Sequence, residues 1–515
     1  MSYRPDDERI LLGDTWHCST GDAVHAFFLQ FQKQGKLDGK EENGAIGHAV
    51  SKDLLSWKDL PYAIPRGCEG SYDDLEHYTG CTVYHNGMFY LFYTSRSTVN
   101  GVYGISLATS VDGLNFEKYP ENPLFVPYEH MYYGVNNRPT LLFHGNSKPA
   151  ESYDLRDLCV CWDAENQLWR GYFVARMIGD NVTETAAIAM CTSQDLIHWE
   201  QHPPCFVPGR YHVIETPEVF FMDGKWYMLC LSGNVYGQLH CGDDPVAYNR
   251  ITFYGVADKM EGPYYEPENS LLIANTNSSA ACAKTVLHKG TRYLFYTEVH
   301  ENDGDPAKEY NYMSVPKVVA TDRKGGLCLK WYDGIEAYYE NTRLLNEAYA
   351  IKNVGQWGSA GVWNIARNTI EGYCGTDWSL QAFAVQAKDF VLETTVNSQS
   401  AASAGVWFGL AETVMGWGLA VILDYARNQI LITHARTFKI LDARSFNFDK
   451  DTYRLRVFAH EKTVEVYLDD CFLLHHLADY QKGGIALMTE SGNAVFTDTV
   501  LHDIKPFQED EKVMI

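Results

Sequence analysis

Apolar and polar residues alternate along this 515-residue chain in short runs separated by turn signals, and helical periodicity is scarce. Five aromatic-rich runs stand out: HAFFLQF at 25–31, MFYLFYTS at 88–95, LWRGYFVA at 168–175, KWYMLCLS at 225–232 and TRYLFYTE at 291–298. Each follows a turn signal, in order Gly21-Asp22, Asn86-Gly87, Asn166, Asp223-Gly224 and Lys289-Gly290. A second pattern follows three of them: AVSKDLLSW at 49–57, ATSVDGLNF at 108–116 and CTSQDLIHW at 191–199. There a strand ends in Ser, an acidic turn follows and an aromatic residue closes the next strand. A hairpin, a third strand and an aromatic-marked outer strand make one four-stranded propeller blade. Five copies therefore predict an all-β fold, with a five-bladed β-propeller over residues 1–335. Alternating strands alone would also suit a large β-sandwich, and the regular self-similarity favours the propeller.

The repeat ends near Tyr338, Tyr339 and Asn341, so residues 336–359 read as a linker. Beyond it VLETTV at 391–396, GVWFGL at 405–410, LAVILDY at 419–425, YRLRVF at 453–458 and VEVYLD at 464–469 alternate as sandwich strands do. Residues 360–515 are expected to form a C-terminal β-sandwich without a catalytic cluster.

Charge narrows the range of partners. With 42 basic and 66 acidic residues the net charge is −24, the wrong sign for nucleic acid or an anionic membrane. A small, neutral substrate suits it better, and homo-oligomerisation is left open. The N-terminal MSYRPDDERILLGDTWH has no basic segment leading into an apolar one. The 13 cysteines, an odd number, are scattered without framework spacing. Both features point to a cytoplasmic protein with reduced thiols. Cys159 and Cys161 have no matching pair nearby, which argues against zinc, and neither a metal nor a cofactor is expected.

Three acids sit where propeller strands would aim them inward. Asp14 lies in Gly13-Asp14-Thr15-Trp16, Asp157 follows Arg156 at the start of a strand, and Glu215 is flanked by Ile214 and the run Pro217 to Phe220. Glycoside hydrolysis uses two carboxyl groups, one protonated and one ionised. An apolar setting raises a carboxyl pKa and turn donors lower it. Glu215 therefore suits the acid and Asp14 the ionised nucleophile, although a Gly-Asp pair is also a common turn former. Arg156-Asp157 could equally be a surface pair.

The segment GHAVSKDLLSWKDLP at 47–61 closely resembles the Gly-His-Ala-x-Ser-x-Asp-Leu-x-x-Trp motif of glycoside hydrolase family 32, the invertase, inulinase and levanase family. VHAFFLQ at 24–30, YTG at 78–80, RDLCVCW at 156–162 and ETPEVFF at 215–221 resemble further motifs of that family in the same order, and the likeness runs nearly the full length. The resemblance implies a retaining glycosidase acting on fructofuranosides, with Asp14 as nucleophile, Asp157 as transition-state stabiliser and Glu215 as acid/base. Aromatic faces stack on sugar rings and polar tips reach hydroxyls, so Trp16, His17 and Tyr78 are expected to line the sugar pocket, with Arg156 beside Asp157 and Arg138 entering from a blade connection. For Trp16 and Arg138, structural roles compete. Around the acids the motifs depart from the family: only the aspartate of Trp-x-Asn-Asp-Pro-Asn-Gly survives at Asp14, Arg-Asp-Pro reads Arg156-Asp157-Leu158, and Glu-Cys-Pro reads Glu215-Thr216-Pro217. Retained acids in altered surroundings imply a changed substrate. Fructosyl transfer, difructose anhydride chemistry, arabinofuranoside cleavage and non-catalytic carbohydrate binding are the competing readings.

Overall fold

The computed structural model describes residues 3–507 except 8, 33–43, 100, 102, 127, 129, 134–139, 143–148, 152–153, 180–183, 234–245, 300–310, 323, 352–360, 412–417 and 436. Strands β1–β4 (Ile10–Ser19, Val24–Gln32, Ala45–Ser51, Lys58–Ile64) form one antiparallel sheet in chain order. Strands β5–β8 (Glu76–His85, Met88–Arg96, Tyr103–Ser110, Glu117–Lys118) form another. After a ribbon of β9 (Thr140–Leu142) and β10 (Pro149–Glu151) come β11–β14 (Leu155–Asp163, Leu168–Arg176, Ala186–Ser193, Glu200–Phe206). Strands β15–β18 (Glu215–Met222, Lys225–Ser232, Arg250–Ala257, Leu271–Asn275) repeat the arrangement. The run β19–β23 (Ser279–His288, Thr291–Val299, Asn311–Met313, Lys317–Thr321, Leu327–Lys330) follows, with both β21 and β22 paired to β20.

The first strand of each group packs on the next: β1 on β5, β5 on β11, β11 on β15, β15 on β19, and β19 back on β1. This closes a propeller-like ring. Four of the groups are separate four-stranded sheets where five were expected. The last run is not separate, because Lys330 at the end of β23 pairs with Cys471 and joins it to the C-terminal sheet.

Local chemistry explains both repeated sequence patterns. Three first hairpins turn through Asn86-Gly87, Asp223-Gly224 and Lys289-Gly290, all six residues having positive φ, as a turn matching the right-handed strand twist requires. The Ser-x-Asp patterns form the turn from third to fourth strand. In the first sheet the Ser51 hydroxyl accepts from the Leu54 amide at 2.8 Å, while Asp53 Oδ1 accepts from Leu55 and Ser56 at 2.9 and 2.7 Å. Ser110 with Asp112, and Ser193 with Asp195, repeat this in the second and third. The residue between the two loops of the turn is left-handed in each, at Leu54, Gly113 and Leu196. Trp57 and Trp199 close their turns by donating from the indole to the Leu54 and Leu196 carbonyls, both at 3.2 Å.

The C-terminal region is one large antiparallel sheet rather than two separate ones. Its last strand, Gly483–Ile504, pairs along its length with Tyr339–Leu344, Thr369–Ala387, Phe390–Asn397 and Ser403–Leu410. The first of these lies inside the stretch expected to be linker. The sheet encloses a core that includes Phe390, Val406, Val457, Leu487 and Phe496. Among the described residues no helix is long and apolar enough to cross a membrane.

A fully buried ion pair fastens the ring to this sheet. Lys317 Nζ lies 2.5 Å from Glu465 Oε1, and the Tyr467 hydroxyl donates to Glu465 Oε2 at 2.5 Å. Lys317 also donates to the Val315 carbonyl and sits over the Tyr296 ring, so the desolvated ammonium is surrounded by partners. Removing one member strands the other without water. Lys317→Met is therefore expected to lower stability by about 3–5 kcal/mol, seen as a lower urea midpoint, and adding Glu465→Met should recover part of that loss.

Candidate active site

A regular strand sends successive side chains to opposite faces. Each of the five inner strands breaks that alternation near its start. Pairing with the second strand slips between Leu12 and Thr15 in β1, Tyr78 and Cys81 in β5, and Arg156 and Cys159 in β11. It slips again between Glu215 and Glu218 in β15 and between Ala281 and Lys284 in β19. Asp157, Thr216 and Cys282 take left-handed φ values of 60°, 51° and 49° at these bulges, a strained choice for residues with a Cβ. Gly80 is required by close approach, since a Cβ there would lie 1.8 Å from the Phe92 carbonyl oxygen. An extra residue at a bulge re-aims the side chains beside it, and in β1, β11 and β15 these are Asp14, Asp157 and Glu215.

Contacts between neighbouring inner strands then lock the acids. The Thr79 hydroxyl of β5 donates to Asp14 Oδ2. The Asp157 amide donates to Thr94 Oγ1 at 3.0 Å, and the Thr94 hydroxyl donates to the Thr79 carbonyl at 3.1 Å. Asp157 Oδ2 accepts from the Thr216 amide at 3.0 Å, across to β15. Arg156 spans the same gap, donating to Glu215 Oε1 at 2.7 Å and to Asp154 Oδ1. Behind it the fully buried Arg176 donates to Asp154 Oδ2 at 2.9 and 3.0 Å. Glu218 turns away from the three acids, accepting from the Thr285 hydroxyl at 2.7 Å.

The charges are crowded. Burial pushes the Asp14 carboxyl up, and the neighbouring Glu215 charge adds to the shift, against the Thr79 hydrogen bond and the cations Arg250 and Lys284. Asp157, only 2% exposed, is pushed up to about 7 by burial and by the charges of Glu215 and Asp14, with Arg156 opposing. Asp154 goes the other way: although burial opposes it, Arg156 and Arg176 hold it well below the usual carboxylate range. The arrangement brings the three carboxyl groups within electrostatic reach of one another, with the Arg156 guanidinium between Glu215 and Asp154. Among the described residues no group of three or more His, Cys, Asp or Glu side chains could hold a metal ion.

Of the residues singled out from sequence, Asp14, Asp157, Glu215 and Arg156 are brought together. Tyr78 lies on β5 next to Thr79, where its hydroxyl donates to Glu76 Oε2 at 2.5 Å and its ring tilts against Tyr103. Trp16 and His17 are both buried. Trp16 is 1% exposed, stacks on Phe27 and donates from its indole to Thr82 Oγ1 at 3.1 Å. His17 stacks on Phe295 at 4.3 Å with Nε2 3.1 Å from the Met313 sulfur. Both follow the β1 bulge, where the strand descends between packed sheets. Arg138 lies outside the described residues. Sequence reasoning missed Thr79, Thr94, Thr216, Asp154 and Arg176. Thr79 and Thr216 did sit inside recognised segments, beside Gly80 and Pro217, and a Thr next to a strand-breaking residue was the available signal.

Comparison with known proteins matches the model of the glycosyl hydrolases family 32 N-terminal domain to residues 17–327. Asp14 lies just before that span. A sucrose-6-phosphate hydrolase of Zymomonas mobilis is 37% identical over 78 residues, 14% of this chain and 15% of its own length. A fructan 6-exohydrolase of Triticum aestivum is 25% identical over 203 residues, 38% of this chain and 30% of its own. These curated relatives are thus matched over less than a third of their lengths. Solved structures are similar over far more: the sucrose-6-phosphate hydrolase of Lactobacillus gasseri, at 16% identity and TM-score 0.70, covers 97% of this chain and 91% of its own. Fructan 1-exohydrolase IIa of Cichorium intybus, at 13% identity and TM-score 0.70, covers 98% and 97%; at such identities the likeness concerns the fold. With more than half of its residues matched by the family model, the chain belongs to glycosyl hydrolase family 32.

Proposed function

We propose that this protein is a retaining hydrolase of fructofuranosides, built on a five-bladed propeller with a C-terminal sandwich. One observation carries the reading: Asp14, Asp157 and Glu215 come from three different inner strands and lie close enough to act on one another's charge, with Arg156 bonded to Glu215. Names of the relatives, fructan exohydrolase and sucrose-6-phosphate hydrolase among them, agree with a small fructose-containing carbohydrate. In this reading the Asp14 carboxylate attacks the anomeric carbon while Glu215 gives its proton to the leaving oxygen. Water, losing a proton to Glu215, then breaks the ester to Asp14 and releases the sugar with its configuration retained. The 2.7 Å contact from Arg156 to Glu215 must be exchanged for contacts to the sugar before Glu215 can reach the leaving oxygen. Asp154 and Arg176 hold the guanidinium in place while that exchange occurs.

Purified protein assayed against sucrose, inulin, levan, difructose anhydrides and arabinofuranosides should turn over a fructofuranoside; activity confined to arabinofuranosides would overturn the substrate class. On the substrate found, Asp14→Asn should lower kcat by about 10⁴-fold or more. Glu215→Ala should lower it by about 10²–10⁴-fold, with much of the rate returning for a fructoside bearing an acidic leaving group. Charge crowding has a consequence for stability too. A carboxyl whose folded pKa is raised disfavours folding once pH exceeds its unfolded value of about 3.9, and Asp157 reaches about 7 when folded. Asp157→Asn should thus melt at a higher temperature than the unsubstituted protein at pH 8, with the difference vanishing near pH 4. Equal melting temperatures at pH 8 would rule out a strained Asp157 charge.

A further inference from the structure

Cys328 and Cys471 lie at the seam where β23 meets the C-terminal strand Cys471–Leu477. On β23, Leu327 and Leu329 are buried, while Cys328 and Lys330 share the opposite, half-buried face. Lys330 is the cross-strand partner of Cys471, and its ammonium donates to the Cys471 sulfur at 2.9 Å. Cys328, two residues before Lys330 on the same face of β23, lies beside the same sulfur. Both cysteines are free and partly accessible, whereas most of the other described cysteines are buried.

We propose that Cys328 and Cys471 form a peroxide-responsive dithiol, in which the Lys330-held sulfur of Cys471 is oxidised first and Cys328 then closes a disulfide across the seam. A thiolate, not a thiol, is the reacting species, and a cation beside the sulfur selects for it. The neighbouring Cys328 and the Lys330 ammonium bring Cys471 down to about 6 against the effect of burial, with Asp469 also opposing. Asp322 faces Cys328 and Asp470 faces Lys330, and these acids complete the charged surroundings. Another close pair behaves in the opposite way. Cys161 is pushed up by Cys159, by burial and by the Glu218 charge, and among the described residues its sulfur is hydrogen-bonded to the Val219 carbonyl rather than to an ammonium.

The chemistry balances with hydrogen peroxide as oxidant. The Cys471 thiolate attacks one peroxide oxygen, an S–O bond forms as the O–O bond breaks, and hydroxide leaves and takes up a proton as water. Cys328, losing its proton, attacks the Cys471 sulfur; the S–S bond forms, the S–O bond breaks, and a second water departs. Two thiols are oxidised and one peroxide is reduced to two waters. The product ties the end of the ring to the C-terminal sheet.

The test begins with the native protein at pH 7 and limiting iodoacetamide, followed by peptide mass spectrometry. Cys471 should be alkylated several-fold faster than the exposed Cys68, and Lys330→Met should remove that advantage. Hydrogen peroxide should give a linked peptide containing Cys328 and Cys471, reversible by dithiothreitol, with a rise in melting temperature. In Cys328→Ser the same treatment should leave a dimedone-reactive sulfenic acid on Cys471. Alkylation of Cys471 no faster than Cys68, or peroxide treatment yielding no Cys328–Cys471 peptide, overturns the proposal; both are read on the unsubstituted protein and do not depend on any variant folding.

Discussion

An unbroken antiparallel pair would force Asp14 and Thr15, or Asp157 and Leu158, to opposite faces of their sheets. Each inner strand must serve two demands at once, apolar packing against the neighbouring sheets and polar groups at the axis, and strict alternation cannot supply both at the required spot. The bulge resolves this in all five inner strands. Its strain is visible where Asp157, Thr216 and Cys282 accept left-handed backbone, and the cross-strand hydrogen bonds from the Asp157 amide to Thr94 and from the Thr216 amide to Asp157 hold it in place. Such strain persists only when surrounding structure over-determines it.

The same geometry creates the electrostatic tension. Three carboxyl groups share a partly dehydrated space, and although Arg156, Arg250 and Lys284 act on them, burial and mutual repulsion still push Asp14 and Asp157 up. Arg156 is itself secured from behind by Asp154 and the buried Arg176. These partners hold the cation bonded to Glu215 and close beside Asp157. The larger framework keeps the inner strands in register: the ring closes β19 on β1, and the buried Lys317–Glu465 pair ties the last run of strands to the C-terminal sheet.

What the sequence by itself determined is local. Asn86-Gly87 and Asp223-Gly224 fix their hairpins because both residues of such a turn need positive φ. The Ser-x-Asp turns form through side chains bonded to amides two or three residues away, so their repetition was readable along with the all-β, propeller-like class. Asp14, Asp157 and Glu215 stood out as candidates through the motifs around them. Only the tertiary structure decided what these acids face. Thr79 meets Asp14 across 65 positions, and Arg156 meets Glu215 across 59, distances over which no local pattern constrains the partner. The surroundings of Trp16 and His17 were hidden for a related reason: beyond a bulge the strand's facing changes, and Trp16 packs on Phe27 and His17 on Phe295. The joining of β23 to the C-terminal sheet likewise depends on one pairing, Lys330 with Cys471, between segments that only the folded chain brings side by side.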